Sequence, residues 1–498
     1  MEALRNPIIL GSVGIYMAVC IGFGVWAMGR TRSTRDFFMA GRDIGAIVAG
    51  LAVFSSTLSG FGFVGGPGLV YSMGMSSMWM VVCASIGFCL SFFLLAKRLR
   101  LFAEARDTIS LPDAVGARYG SETTRLLTAI AILLGVMGYL ATQILAMATV
   151  LQSILERTEL VGSISLITCV VISGAVLVFY CVTGGIIASV YTDVVQGSVM
   201  VVAALLVFLT ALYTVDGGAA GAVQIIMRDD PEAIGPWGTL GMLGCLSWYF
   251  MFALGGAGQP HVVTKFMMNK KVADARRVLP VAVGSFMLAA LLWISIGMAM
   301  RALVLDGVHP ELSNADAAAS EFLQAYAHPI LAGVVFAGLF AAIMSTADGF
   351  LNIGAAALVH DIPVALRGRS LSNELRSARI ATLGIAVAAA LFALYSHYQN
   401  ERLVALLGAF GWGTFGAALV PTVAIGFNWK RATAKAANTA IVASLVVNFA
   451  IELLDVDIPF GIHGGTIALL VSITLFFGIS LLSPPPELAP DIEAVMDV

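Results

Sequence analysis

The chain has 498 residues, of which 59% are hydrophobic and only 11% are charged. A soluble protein of this length carries roughly a quarter charged residues, so the composition excludes an ordinary soluble domain and predicts an integral membrane protein. The formal net charge is −3, and no basic cluster accompanies an aromatic platform, which argues against a nucleic-acid partner. The six cysteines all fall within apolar segments and indicate neither a disulfide framework nor a metal site.

Apolar runs of spanning length follow one another along the whole chain. Runs of about 20 residues are typical of transmembrane helices, whereas membrane strands are about half as long and alternate in character. The sequence therefore predicts an all-α integral membrane protein with about 13 transmembrane helices. The predicted spans are 8–28, 45–72, 76–96, 126–155, 161–182, 186–213, 237–258, 279–300, 329–358, 379–396, 403–427, 436–454 and 464–482.

The positions of the basic residues predict the orientation of these spans. Most of the 27 Lys and Arg residues, Lys265 among them, fall in alternate loops on one side. The positive-inside rule assigns that side to the cytoplasm, so the N-terminus is expected outside and the C-terminus inside a plasma (inner) membrane. The side opposite to the cytoplasmic loops has only Arg5, Arg157, Arg228, Arg301 and Arg402.

The Pro-rich, acidic tail 483–498 is expected to be disordered.

The second predicted span contains an unusual stretch, FSSTLSGFGFVGGPG, from Phe54 to Gly68. It has four hydroxyl side chains, five glycines and a proline inside an otherwise apolar run. Because backbone groups in a membrane must be paired internally unless they line a cavity or lie inside protein, this composition predicts a helix interrupted at a binding site. Close helix packing through small residues is the alternative interpretation.

The seventh predicted span is interrupted in a similar way. Its segment SWYFMFALGGAGQPH has Gly255, Gly256, Gly258 and Pro260 close together. The second and seventh spans lie five apart, and interrupted helices at corresponding positions of two halves indicate an inverted-repeat transporter. We therefore predict a 5+5 inverted-repeat core with broken first and sixth core helices.

Two carboxylates lie within predicted spans, where charged groups are costly and usually functional. Ser345 and Thr346 are adjacent hydroxyls, and Asp348 lies three residues past Ser345, on the same helical face. Asp193 lies about two turns into the sixth span from the cytoplasmic side. Hydroxyl, carbonyl and carboxylate oxygens are the ligands of a hard cation, which predicts an ion site. For Asp193, an ion pair or a hydrogen bond near the interface is the alternative.

Other polar and aromatic residues near the interruptions are candidates for lining a solute pocket. Tyr139 and Gln143 form an i, i+4 pair in the fourth span, and Phe252 precedes the second interruption. For each alone, a core or interface role is an equal alternative. His261 is expected to hydrogen-bond the local backbone. No nucleophile–base arrangement, metal-ligand spacing or phosphate loop stands out, so no enzyme activity is predicted.

Several motifs in order resemble the sodium:solute symporter family, from about Asp36 to Lys435. The family uses the leucine-transporter fold, a 5+5 inverted repeat with one extra span before the core. GQPH and DARR resemble its proline-transporting branch, and FVGGPG its pantothenate-transporting branch. The remaining motifs are FFMAGRDIG, SLPDAVGARYG, TGGIIASVYTDVVQG and AAIMST.

This resemblance implies a main sodium site and, in some members, a second one. The main site would take backbone oxygens from Ser55, Leu58 and Ala342 and side-chain oxygens from Ser345 and Thr346. A second ion or proton site would combine Asp193, Ser345 and Asp348. Asp348 and Gly349 stand where such members have serines, so Asp348 either strengthens this site or carries a proton.

The resemblance also implies where a solute would bind. Proline carriers have an acid at the position of Thr57 and aromatic residues at those of Phe252 and Gly256. Here only Phe252 is aromatic, and Gly256 is expected to leave room, so proline is not singled out as the solute. Amino acids, monocarboxylates and pantothenate-like compounds remain candidates. The full set of expected solute-binding residues is Thr57, Ser59, Gly60, Tyr139, Gln143, Phe252 and Gly256.

Together these features predict a sodium-coupled symporter that imports a small organic solute by alternating access, with Na+ as the only coupling ion and no organic cofactor. A proton-coupled transporter using Asp348 or Asp193, and a solute sensor, are the alternatives. The expected organisation is an extra helix and loop (1–43), a first repeat (44–213), an outer loop (214–236), a second repeat (237–428), two peripheral helices (429–482) and the tail (483–498).

Overall fold

A computed structural model describes residues 5–29, 33–39, 44–156, 164–400, 404–454 and 456–498. Arg157 and Arg402, expected on the outer side, and residues 40–43 of the FFMAGRDIG motif lie outside these ranges. The described residues form helices and connecting turns, and their only β-type pairing is one isolated bridge between Ile44 and Asn269.

Twenty-one α-helices make up this part of the chain. They are α1 (Arg5–Met28), α2 (Thr34–Met39), α3 (Ala46–Thr57), α4 (Gly66–Met73), α5 (Met78–Ser91), α6 (Lys97–Arg106), α7 (Leu111–Tyr119), α8 (Glu122–Glu156), α9 (Leu166–Thr214), α10 (Gly218–Asp229), α11 (Gly241–Tyr249), α12 (Pro260–Met267), α13 (Ala275–Leu305), α14 (Ala318–Ala325), α15 (Pro329–Ala356), α16 (Ile362–Arg367), α17 (Glu374–Asn400), α18 (Val404–Leu419), α19 (Ala434–Leu453), α20 (Gly464–Leu482) and α21 (Pro490–Met496).

The prediction of an all-α integral membrane protein is confirmed. Twelve helical stretches among the described residues are long and apolar enough to cross a membrane, and α3 is a shorter apolar helix. Large apolar side chains cover outer helix faces: Ile15 is 69% exposed, Phe93 76% and Leu391 64%. Exposed apolar surface on this scale marks contact with a partner or a membrane, and the helix lengths identify the bilayer.

Adjacent predicted spans are joined in two places. α9 includes the predicted span 186–213 and the part of the predicted span 161–182 that begins at residue 166. Between the two spans the helix has a kink at Gly185 (φ 55, ψ −154). A Cβ atom at Gly185 would lie 2.7 Å from the ring of Phe37, so glycine supplies both the backbone angle and the space. The stretch Phe61–Arg106 likewise holds the end of the second predicted span and all of the third. The exact number of spans stays a prediction.

The core is centred on α15. This helix packs against α1, α3, α8 and α9, and every residue from Gly338 to Asn352 is buried. Its polar side chains therefore face other helices and not lipid, which is where intramembrane polar groups are tolerated. This position brings the hydroxyls of α15 against the first interrupted helix and its carboxylate against α9.

The expectation of a disordered tail is wrong for its last part. Residues Pro490–Met496 form α21, in which Ile492, Val495 and Met496 are buried. The Asp491 carboxylate forms an ion pair with Arg106 at 2.5 Å, and this neighbouring guanidinium holds the pKa of Asp491 below its usual range. The apolar residues at i, i+3 and i+4 bury one face of the short helix against α6. The overall acidity of the tail obscured this pattern.

Candidate ion and solute site

The first interrupted helix consists of α3, α4 and the irregular turn between them. α3 ends at Thr57, and Leu58 leaves the helical region (φ −83, ψ 80). The chain then resumes as a wide π-helical turn, Phe61–Gly65, that leads into α4. Every residue from Ala52 to Val70 is buried, so the irregular backbone lies inside protein, as membrane depth requires.

Hydroxyl groups of α3 and α15 meet at this interruption. The Ser55 hydroxyl donates to the Ser345 hydroxyl oxygen at 3.1 Å. The Thr346 hydroxyl bonds two backbone oxygens, those of Ser56 at 2.9 Å and Ala342 at 3.1 Å. Hydroxyl and carbonyl oxygens from the two helices therefore converge where the resemblance implies the main sodium site. Such oxygens suit a hard cation.

Asp193, on α9, joins this cluster from the other side. The Ser345 hydroxyl donates a short hydrogen bond to one carboxylate oxygen of Asp193. The second carboxylate oxygen forms an ion pair with the Lys265 ammonium at 3.1 Å. Asp193 is fully buried and Lys265 is 4% exposed. The structure thus places Asp193 against Ser345, as expected for an ion site. It also gives Asp193 an ion pair, which is the alternative that the sequence left open.

Asp348 contacts a different turn of α9. One of its carboxylate oxygens accepts a hydrogen bond from the Ser189 hydroxyl at 2.7 Å, and Ser189 precedes Asp193 by one helical turn. Ser345 and Asp348 therefore reach α9 at two successive turns, because they are themselves one turn apart on α15. The expected trio of Asp193, Ser345 and Asp348 is divided between these two levels.

Four of the expected solute-binding residues form a hydrogen-bonded group beside the interruption. The Gly60 amide donates to the Gln143 side-chain oxygen at 2.9 Å. The Gln143 amide nitrogen lies 3.4 Å from the Ser59 hydroxyl, which is 3.5 Å from the Tyr139 hydroxyl. Gln143 from α8 therefore satisfies an amide that the interrupted helix leaves free. This group stabilises the shape of the break.

A small cavity of about 10 Å3, lined mainly by apolar and aromatic side chains, lies between the two interrupted helices. The expected residues Thr57 and Phe252 line it, and the Thr57 hydroxyl donates to the Val53 carbonyl at 2.6 Å. No charged side chain is among its described lining residues, which are Thr57, Leu58, Phe61, Gly62, Met80, Val81, Ala84, Phe252, Phe286, Trp293 and Trp412. A cavity of this size holds about one water molecule, so an organic solute can enter only when these walls move apart.

The second interrupted helix runs from α11 to α12. A π-helical turn (Phe250–Leu254) and a 3-10 turn (Gly256–Gly258) separate the two helices. A Cβ atom on Gly256 would lie 2.7 Å from the Cα of Gly87 on α5. The expectation that Gly256 leaves room for a solute is therefore wrong, since the backbone of α5 fills that space.

Three residues of this region behave differently from the sequence interpretation. The sequence places Lys265 with the cytoplasmic loops, yet its long side chain reaches back to Asp193. The sequence gives no signal for Trp293, which lines the cavity and whose indole N–H has no hydrogen-bond partner among the described residues. The expectation that His261 bonds local backbone is wrong, because neither ring nitrogen has a partner within the described chain. Phe350 packs 4.7 Å from the imidazole instead.

Helices broken at buried, oxygen-rich positions near the middle of a membrane protein form the binding sites of secondary transporters. That is the class to which this architecture points. Residues 37–444 match the family model described as "Sodium:solute symporter family", which is more than half of the chain. The chain belongs to this family, and it is a transporter and not an enzyme.

Relatives of known activity match nearly the whole chain. It is 28% identical over 482 residues to the high-affinity proline transporter PutP of Bacillus subtilis (strain 168), covering 94% of this chain and 96% of the relative. It is 26% identical over 468 residues to the sodium/pantothenate symporter of Escherichia coli (strain K12), covering 93% and 94%. The family and these relatives support sodium-coupled solute symport.

Solved structures share the fold. A Na+-coupled sialic acid symporter in a substrate-bound, outward-open state superposes with a TM-score of 0.77 at 21% identity, covering 97% of this chain and 99% of the other. A nucleobase-cation-symport-1 family transporter in a closed conformation gives 0.58 at 15% identity, covering 93% and 98%. At these identities the likeness establishes the architecture.

Proposed function

We propose that the protein imports a small organic solute together with sodium by alternating access between an outward-open and an inward-open form. The observation that carries this proposal is the meeting of α3 and α15 at the first interruption. There Ser55 lies 3.1 Å from Ser345, and Thr346 bonds the carbonyl of Ser56. A cation held between these two helices would stabilise the conformation in which they are close together.

Sodium would bind the backbone oxygens of Ser55, Leu58 and Ala342 and the hydroxyls of Ser345 and Thr346. Such an ion supplies enough driving force for accumulation. A membrane potential of 100 mV is worth about 2.3 kcal/mol per charge, and a tenfold sodium gradient adds about 1.4 kcal/mol. One sodium ion per solute could then sustain an accumulation of roughly several hundredfold.

The solute would bind beside this ion, between the walls of the small cavity, which would move apart in the outward-open form. Phe61 from the first interrupted helix and Phe252 from the second stack at 6.1 Å between ring centroids, so the solute would contact both. A compact amino acid or monocarboxylate fits such walls, with its charged group met by backbone dipoles or by the free indole N–H of Trp293. The hydrogen bonds among Ser59, Gly60, Tyr139 and Gln143 would stabilise the interrupted conformation of the first helix.

The two interrupted helices would belong to two five-helix repeats that move against each other, 44–213 and 237–428. With the N-terminus outside and the C-terminus in the cytoplasm, the sodium gradient of a plasma membrane would drive solute inward. The ions would act through their different affinities for the two conformations, as any coupling ligand must.

Uptake by proteoliposomes with an inward sodium gradient tests the proposal. The panel contains proline and other amino acids, monocarboxylates, pantothenate and sugar acids, each measured with sodium or with potassium outside. We expect at least one solute to accumulate only with the sodium gradient. Accumulation driven by a proton gradient and insensitive to sodium would contradict it and favour proton coupling through Asp348 or Asp193. No accumulation of any solute would favour a sensor.

A further inference from the structure

Lys265 is a buried cation at the centre of the protein. It is the sixth residue of α12, and its side chain crosses to α3 and α9. The ammonium nitrogen donates to the Ala52 carbonyl at 2.7 Å, the Ser56 hydroxyl at 2.9 Å and the Asp193 carboxylate at 3.1 Å. An ammonium group has three N–H donors, so these contacts use all of them.

This arrangement has the ligands of a cation site. A carbonyl, a hydroxyl and a carboxylate surround the charge, and these are the oxygens that a hard metal cation takes. The other oxygen of Asp193 accepts from Ser345, which also belongs to the proposed main sodium site. The family resemblance implies a second ion or proton site at Asp193, Ser345 and Asp348, and the ammonium lies beside the Asp193 carboxylate.

We propose that the Lys265 ammonium is the built-in cation of this second site, so that Asp193 binds no transported sodium and one sodium ion moves with each solute. A sodium ion at Asp193 would have to displace the ammonium from its carboxylate. That would leave a charged group without a counter-ion in the protein interior, which is strongly unfavourable. This inference rests on the proposed sodium symport and specifies its ion stoichiometry.

Counting bound sodium on the purified full-length protein tests the inference without knowledge of the solute. Radioactive sodium is titrated against the wild-type protein and against Lys265→Met, Lys265→Arg and the double variant Asp193→Asn/Lys265→Met. Lys435→Met, which removes an exposed lysine on α19, is the matched control. We expect one saturable sodium ion per protein in the wild type, in Lys265→Arg and in the control, and two in Lys265→Met.

The double variant should return to one sodium ion, because Asp193 is the ligand that Lys265→Met exposes. It also removes both charges together, which buried pairs tolerate better than loss of one partner. Two sodium ions in the wild type, or one in a folded Lys265→Met protein, would overturn the inference. If Lys265→Met does not fold, two ions in the wild type and one in the double variant would overturn it.

Failure of the underlying symport proposal looks different. A wild-type protein that binds no sodium would contradict sodium coupling itself. In that case the sodium bound by Lys265→Met is the deciding measurement. Sodium that binds to this variant and not to the wild type supports a built-in cation at Asp193. No sodium in either protein overturns the inference as well.

Discussion

The interruption between α3 and α4 and the one between α11 and α12 leave the helical path by different means. At the first, side chains from α8 and α15 bond the free backbone: Gln143 accepts from the Gly60 amide, and Thr346 donates to the Ser56 carbonyl. At the second, glycines pack the backbone directly against α5 and α18, with Gly256 against Gly87 and Gly255 against Gly416. Side chains bond free carbonyls there too, since Ser91 donates to the Gly256 carbonyl and Gln259 to the Gly255 carbonyl.

This difference indicates different roles for two segments that looked equivalent in the sequence. A break supported by hydroxyl side chains keeps oxygen atoms available to a cation, because a hydroxyl can rotate and accept from more than one direction. At the second break, glycine backbones lie against one another and the freed carbonyls are already bonded by Ser91 and Gln259, so its backbone has less room to adjust. We therefore expect the first break to bind the ion and the second to fix the geometry of the cavity.

The largest effect should come from Ser345→Ala, which removes a proposed sodium ligand from the first break. Losing a hydrogen bond or ligand to a charged group costs about 1.5–3 kcal/mol, so the sodium concentration for half-maximal uptake should rise roughly 10- to 100-fold. The measurement is uptake against sodium concentration. Ser198→Ala, an exposed hydroxyl on α9 that bonds the Val194 carbonyl, is the control. An unchanged sodium dependence would contradict the ion site.

Gly256→Ala should damage the second break in a different way. The added methyl group would lie 2.7 Å from the Cα and 2.9 Å from the carbonyl carbon of Gly87, and overpacking of this kind costs about 1–3 kcal/mol. We expect a lower melting temperature in detergent, while the sodium dependence of the folded protein stays the same. Gly284→Ala adds the same methyl to open space on α13 and should leave both unchanged. Equal melting temperatures for the two variants would rule out the packing role.

Gln143→Ala tests whether α8 supports the first break. It removes the acceptor of the Gly60 amide, which lies 2.9 Å away, and a buried donor left unpaired costs about 1–3 kcal/mol. Solute affinity should fall roughly tenfold, since the break would relax towards a helix that pairs the amide itself. Gln152→Ala, farther along α8, is the control, because that side chain bonds Glu156 and the Ile164 carbonyl. Identical behaviour of the two variants would assign Gln143 to packing alone.

Trp293→Phe should have a smaller and more selective effect. It removes the unpaired indole N–H but keeps an aromatic ring against Phe61. In the wild type the ring centroids of Trp293 and Phe61 are 5.9 Å apart in an edge-to-face arrangement. A typical hydrogen bond is worth about 1 kcal/mol, so affinity for a carboxylate solute should fall about fivefold. Affinity for an analogue without the carboxylate should not change. Trp79→Phe, whose indole bonds the Pro236 carbonyl outside the cavity, is the control, and equal losses for both solutes would refute the contact.

The residues of the first break could be recognised from the sequence, whereas the contacts of Lys265 and Trp293 could not. Hydroxyls and glycines within an apolar run are local signals, so Ser55, Ser59 and Gly60 were evident without a structure. Lys265 falls near the end of an apolar run, where a lysine resembles a loop residue, and only the fold shows its side chain reaching Asp193. Trp293 resembles any tryptophan of an apolar helix until packing leaves its N–H unpaired.

The smallest predicted effect lies in the segment that connects α13 to α15, which is fixed against the first broken helix. A Cβ atom on Gly68 of α4 would lie 3.0 Å from an Asp316 oxygen, and the other oxygen accepts from the Val404 amide at 2.8 Å. Burial raises the pKa of Asp316 to about 6, although the Val404 hydrogen bond opposes the shift.

Because the folded protein holds this proton more tightly than the unfolded chain, its stability should fall as pH rises from about 4 to about 6 and then level off. Between pH 5 and pH 7 the loss is about 1 kcal/mol, which corresponds to roughly one or two degrees in melting temperature for a chain of this size. In Asp316→Asn the amide oxygen can still accept from Val404 and carries no charge, so this part of the pH dependence should disappear. A melting temperature that changes equally with pH in both proteins would show that the loop is held by packing against α4 and not by the state of this carboxyl.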